Sequence, residues 1–117
     1  MKLVDPTDFE ILEVMSEGKR QTAPNVAAHL DRKRQYMNDR LSALAGMGLV
    51  ERVGPSKRSG MYVITTKGRV ALNLRDQYSH ADTDRFAELV ENHSSIVEEQ
   101  NKVDRAFERF PKSEEDN

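Results

Sequence analysis

MNDRLSALAGMGLVERV, residues 37–53, is the stretch that decides the fold. Met37, Leu41 and Leu44 recur at spacings of four and three, which puts them on one side of an α-helix and predicts that they point into a core. Gly46 and Gly48 end that helix, and Leu49 to Val53 reads as a strand. Asp31 is a residue type that caps a helix start, so the helix is expected from about residue 32 to 45. At about 100° per residue, the side opposite the apolar row carries Arg32, Gln35, Asp39 and Ser42, with Tyr36 and Asn38 at its margins. One face is built to be buried and the other offers hydrogen-bonding groups.

Upstream, Thr22 can cap a short helix in which Pro24 is tolerated in the first turn and Val26, Ala27 and Leu30 form the buried side. Before it, Asp5 and Pro6 read as a cap and a first-turn proline. Phe9, Ile11, Leu12 and Met15 supply an apolar side until Gly18, giving a helix over 6–17. Downstream, the turn-rich GPSKRSG (54–60) joins the strand to a second one, Met61 to Ile64, as a hairpin. Thr65 is placed to cap a fourth helix whose Val70, Ala71, Leu72 and Leu74 pack back on the core. The expected architecture is mainly α with a small β-hairpin, in the order helix, helix, helix, hairpin, helix.

After the polar stretch SHADTD (79–84) comes a long periodic segment, read as a helix over about 83–110. With position a at Phe86, His93, Gln100 and Phe107, position d falls on Leu89, Ile96, Val103 and Phe110, and Val90 and Val97 widen the stripe at position e. About 27 residues at 1.5 Å each give roughly 40 Å, more than a small domain needs to cover itself. The segment is therefore expected to pair two copies of the chain, against the alternative that it folds on its own domain. The width of the stripe leaves room for contact with that domain as well. This divides the chain into 1–78, a pairing helix over 79–110 and an acidic tail over 111–117 expected to be disordered.

A 117-residue chain, 37% hydrophobic and 32% charged, has one modest core. It contains no apolar run near the ~18 residues that span a bilayer, and no signal-peptide stretch begins it, so a cytoplasmic location without membrane contact is expected. It has no cysteine, and His29, His80 and His93 stand far apart, which excludes disulfides and thiolate sites and leaves no short metal-ligand spacing. Nucleophile-elbow, zinc-protease and phosphate-loop patterns are missing, so neither catalysis nor a cofactor is expected.

The net charge of −2 conceals a segregation. Lys and Arg against Asp and Glu number 3 to 6 in residues 1–31, 9 to 2 in 32–69 and 6 to 12 in 70–117, so the middle is +7 between flanks of −3 and −6. A basic block in an acidic chain marks where a polyanion would dock, because neutralising phosphates releases condensed counterions. The polar face adds a reason for that polyanion to be double-stranded DNA. Arg suits guanine, Gln and Asn suit adenine, and an α-helix fits the major groove, so Arg32, Gln35 and Asn38 are candidate base readers. Asp39 could accept from cytosine or orient an arginine. Lys33, Arg34 and Arg40, toward the sides of the helix, are candidate phosphate contacts, as are Lys57 and Arg58 at the hairpin tip and Thr22 at a helix start. An ordinary solvated helix face is the alternative for this set.

TAPNVAAHL (22–30), MNDRLSALAGMGLVERV (37–53) and MYVITTKG (61–68), in that order and spacing, resemble the winged helix-turn-helix family of transcriptional regulators. The resemblance implies that the first stretch is the positioning helix, the second the recognition helix running into a wing strand, and the third the closing strand with its Y-x-I-T-x-x-G ending. Within the family the chain is similar to PadR-like and MarR-like regulators and to small archaeal and haloarchaeal phage repressors. PadR-like proteins follow the wing with dimerising helices. MarR-like ones also carry dimerising helices before the reader, where this chain has almost nothing. The 11 Arg against 7 Lys hint at a halophilic source. What the resemblance implies is a DNA-binding repressor acting as a homodimer. A winged-helix protein-interaction module, or a subunit of a nucleic-acid enzyme or replication initiator, are the readings from other classes.

Overall fold

A computed structural model of the chain describes residues 1–56 and 59–109, leaving aside the side chains of 107–109. Its elements run α1 (Thr7–Met15), β1 (Gln21–Thr22), α2 (Ala23–Leu30), α3 (Arg34–Gly46), β2 (Val50–Val53), β3 (Met61–Ile64), α4 (Thr66–Asn73), a 3₁₀ turn (Arg75–Gln77) and α5 (Thr83–Arg109). The periodic apolar rows do what their spacing dictates. Ile11, Leu12 and Met15 of α1, Val26 of α2, and Met37, Leu41 and Leu44 of α3 have no exposed surface and meet in one core.

β2 and β3 form the expected hairpin, with Val50 opposite Ile64 and Arg52 opposite Tyr62. A third strand was not expected: β1 pairs antiparallel with β3, Gln21 opposite Tyr62, giving the order β1-β3-β2. Two residues are too short to show the period-2 alternation that identifies a strand. β1 runs directly into α2, so the sheet edge fixes where α2 begins.

α1 is shorter than the 6–17 expected, and its N-cap position falls on Pro6, with no side-chain cap. Asp5 does not cap it. Asp8 takes over the local bonding, accepting the Val4 N–H at 2.8 Å while fully buried. Thr65 caps α4 as expected: its hydroxyl accepts from the Gly68 N–H (3.0 Å) and donates to the Gly48 carbonyl (2.7 Å).

The long C-terminal helix is present and its stripe divides. Asp82 caps its start by accepting from Arg85 N–H at 3.1 Å. Phe86 and Val90 then have no exposed surface, and Ser94, also buried, donates its hydroxyl back to the Val90 carbonyl (2.6 Å). Phe86 meets the rings of Phe9 (6.2 Å) and Tyr78 (5.1 Å) edge to face, and the Tyr78 hydroxyl donates to the Leu3 carbonyl and accepts its N–H. Phe86 and Val90, read from sequence as part of a pairing seam, are thus core residues of their own chain. The spacing 86, 90, 94 keeps one edge of the stripe on the domain, and from Ser95 to Ala106 every residue is exposed.

Candidate nucleic-acid interface

The α2–α3 pair is built by its caps. At the start of α2 the Thr22 hydroxyl accepts from Asn25 N–H (3.3 Å), and Pro24 occupies a first-turn position where its missing donor costs nothing. At its end Asp31 adopts a left-handed conformation (φ 52°, ψ 51°), and the next amide, Arg32 N–H, closes onto the Ala27 carbonyl at 3.0 Å. Aspartate tolerates this conformation better than most residues. The chain is thereby redirected, and α3 starts at Arg34 with Lys33 in the N-cap position. Residues 31–33 are the short turn of a helix-turn-helix.

The face of α3 opposite Met37, Leu41 and Leu44 presents Arg34, Gln35, Asn38, Asp39 and Ser42, all exposed. The Gln35 amide donates to Asp39 Oδ1 at 3.1 Å, which holds both side chains one turn apart on that face. Arg34, Gln35 and Asn38 also line a cleft of about 480 Å³ whose other walls are Ala23 and Pro24 of α2 and Gly60 of the hairpin. The start of α2, the exposed row of α3 and the end of the hairpin loop therefore share one side of the molecule.

No family model matches this chain, and neither does any curated protein. Solved structures do match. The transcriptional regulator BldR from Sulfolobus solfataricus is 26% identical over 82% of this chain and 70% of its own, with a TM-score of 0.52. A MarR family transcription regulator is 32% identical over 92% of this chain and 71% of its own, with a TM-score of 0.54. This chain belongs to the MarR family. Its architecture is accordingly the winged helix, with β2 and β3 as the wing; the PadR-like and phage-repressor parts of the sequence resemblance gain no support from these matches.

On this MarR-family frame the sequence-derived residues separate. Gln35, Asn38, Asp39, Ser42, Lys33 and Arg34 are exposed on or beside α3, and Tyr36 is exposed at its margin. Arg32, expected on the helix, lies in the turn before it and pairs with Glu10 at 3.2 Å. Arg40, expected at a phosphate, instead makes a two-pronged bond to the buried Asp8 carboxylate, Nε to Oδ1 at 2.9 Å and Nη2 to Oδ2 at 2.7 Å. That hydrogen bonding holds the guanidinium pKa above its ordinary value, against the opposing effect of burial. Lys57 and Arg58 at the wing tip lie outside the described residues.

Arg52 on β2, to which the sequence reading gave no role, adjoins this face. It points to the Ser42 hydroxyl (3.2 Å) and the Tyr62 hydroxyl (3.2 Å) and lies 5.7 Å from the Tyr62 ring centre. The available signal was the cross-strand opposition of 52 and 62, which the hairpin register supplies.

Along α5, Leu89 is half-buried, His93 is exposed with Nδ1 2.8 Å from the Leu89 carbonyl, and Ile96 (67% exposed), Val97 and Val103 present apolar surface to solvent. Gln100 donates to Asp104 on the same helix at 3.1 Å. Phe110 and the Phe107 side chain lie outside the described residues. Among the described residues no helix is long and apolar enough to cross a membrane, and no group of His, Asp and Glu is placed to hold a metal ion.

Proposed function

We propose that this MarR-family chain is a sequence-specific double-stranded DNA-binding regulator that acts inside the cell as a homodimeric repressor, with α3 in the major groove and the wing on the backbone or minor groove. The observation that carries this reading is the exposed row Arg34, Gln35, Asn38, Asp39 and Ser42, set back to back with a fully buried apolar row and flanked by the wing. Gln35 and Asn38 are bidentate partners for adenine and Arg34 for guanine, while Lys33 offers charge and Thr22, at the positive end of α2, a hydroxyl to phosphates. The BldR and MarR-type neighbours are transcription regulators, which supports the same reading.

Selection from a pool of randomised duplexes tests it. The full chain should enrich a two-fold symmetric site with half-sites about one helical turn, ~34 Å, apart. Gln35→Ala and Asn38→Ala should each lower preference for that site over a scrambled duplex by about 1–3 kcal/mol while leaving scrambled-duplex binding nearly unchanged. Absence of duplex binding even at low salt, or equal losses on both duplexes, would overturn it.

Pairing rests on α5. Ile96, Val97 and Val103 are apolar groups on the part of the helix that leaves its own domain, where a second copy could cover them. The chain weighs 13.4 kDa, so sedimentation should return twice that, 26.8 kDa. The double variant Ile96→Asp, Val103→Asp should shift it to the monomer mass with its thermal unfolding temperature little changed at low protein concentration. A wild-type monomer at micromolar concentration would sink the dimer.

A further inference from the structure

We infer that Arg52 is a positioning residue for DNA readout: it latches the wing to the recognition helix and holds Ser42, and with it the row on α3, at a fixed angle to the hairpin. This rests on the DNA-binding reading above and deepens it. β2 follows α3 after a turn over Met47–Leu49, and the buried Leu49, Val50 and Ile64 hold that end of the hairpin in the core; the exposed face of α3 gains a further tie two residues along β2. Arg52 makes the tie from the wing side. One Nη donates to Ser42 on the exposed face of α3, and Nε donates to the hydroxyl of Tyr62, the residue directly across the hairpin.

The anchor is rigid where it has to be. Tyr62 is 4% exposed, packed in the core and paired on both sides, with Gln21 of β1 and Arg52 of β2. The guanidinium stands 5.7 Å from its ring centre, within range of a cation–π attraction. A planar fork bonded at two of its edges has one orientation, which a flexible ammonium would not keep. Ser42 lies one turn beyond Asn38 and Asp39 on the same exposed face, so its anchoring by Arg52 extends the ordered row begun by the Gln35 to Asp39 bond. The wing and the reading face then enter the duplex as one body.

The test uses the full chain with two probes, a duplex selected by the wild type from a random pool and a scrambled duplex of the same length. Arg52→Lys keeps the charge but loses the fork. It should weaken the selected duplex about five- to tenfold, the worth of one or two hydrogen bonds, and leave the scrambled duplex and the salt slope as in the wild type. Tyr62→Phe, which changes no charge, should reproduce part of that loss. In a Ser42→Ala background the Arg52→Lys effect should shrink, because the tie is already cut. Hydrogen exchange on the protein alone should show the amides of β2 and of the C-terminal turn of α3 opening faster in Arg52→Lys.

Equal weakening of both duplexes by Arg52→Met, with a salt slope lower by about one, would make Arg52 a plain phosphate contact and overturn the inference. Unchanged exchange in Arg52→Lys would overturn the latch whether or not DNA binds. A wild-type chain that binds neither probe would overturn the DNA reading, and the positioning role in readout with it, while the exchange result still judges the latch as a feature of the fold.

Discussion

Gly68→Ala is expected to destabilise the protein by about 3 kcal/mol or more, lowering its thermal midpoint by roughly 10–20 °C in a calorimetric or circular-dichroism melt. Gly68 lies in α4, where alanine would ordinarily stabilise by about 1 kcal/mol. The sign reverses because a Cβ built on Gly68 would stand 2.0 Å from the Leu49 carbonyl oxygen and 2.8 Å from Ile64 Cγ1. The first of these atoms is backbone, held by the Thr65 N–H to Leu49 carbonyl bond at 3.1 Å, so no rotamer change relieves the clash. Thr65 and Gly68 are therefore one device. The threonine caps α4 and reaches the Gly48 carbonyl, and the glycine lets the helix lie directly on the backbone that leads into the wing. Gly46→Ala is the matched control. At the end of α3 its Cβ would meet nothing within 4 Å, so stability should rise by about 0.4–1 kcal/mol. Both substitutions moving the melt in the same direction would refute this account of the T-x-x-G ending.

This contrast shows what kind of information the sequence carries. Thr22, Thr65 and the rows Met37, Leu41, Leu44 and Ile11, Leu12, Met15 were readable because caps and buried faces depend on neighbours three or four residues away. The order of the helices and the exposed face of α3 followed from them, while the winged helix was what the resemblance of the three stretches implied. Features that depend on a remote partner were not readable. Nothing near Asp31 says that it closes α2 in a left-handed turn instead of opening α3, and that shift of two residues moved Arg32 off the helix and onto Glu10. β1 exists only because β3 offers Tyr62 and Met61 an edge to pair. On α5 the heptad frame merged two rows that diverge in space. Phe86, Val90 and Ser94 turn to their own domain, while Ile96 and Val103, seven residues apart, stay in solvent. A period alone does not tell a self-docked edge from a free one. The candidate face was legible in its residue types, while the partners that Arg40 and Arg52 find in Asp8, Ser42 and Tyr62 were not, because they lie on other elements.

Asp8→Ala is expected to cost about 3–5 kcal/mol, because it strands a partner in a half-buried place. The carboxylate has no exposed surface, and it accepts three bonds, from Val4 N–H and from two nitrogens of Arg40, whose side chain is 19% exposed. Removing either partner alone leaves the other desolvated and unpaired, so Arg40→Met should also be severely destabilising even though methionine fills much the same space. The double variant Asp8→Leu, Arg40→Met separates stabilisation from pairing. An apolar pair of similar volume removes both desolvation terms, so urea melts should show it recovering most of the loss of either single variant. The same protein then decides Arg40's place in DNA binding. With its guanidinium committed to Asp8, Arg40 has no need of a phosphate, and the double variant should bind a duplex with a salt slope equal to the wild type's. A slope lower by about one unit would mean that Arg40 leaves Asp8 on binding and neutralises a phosphate after all. Asp8 would then be a carboxylate uncovered by DNA, and the ion pair a cost that binding must overcome.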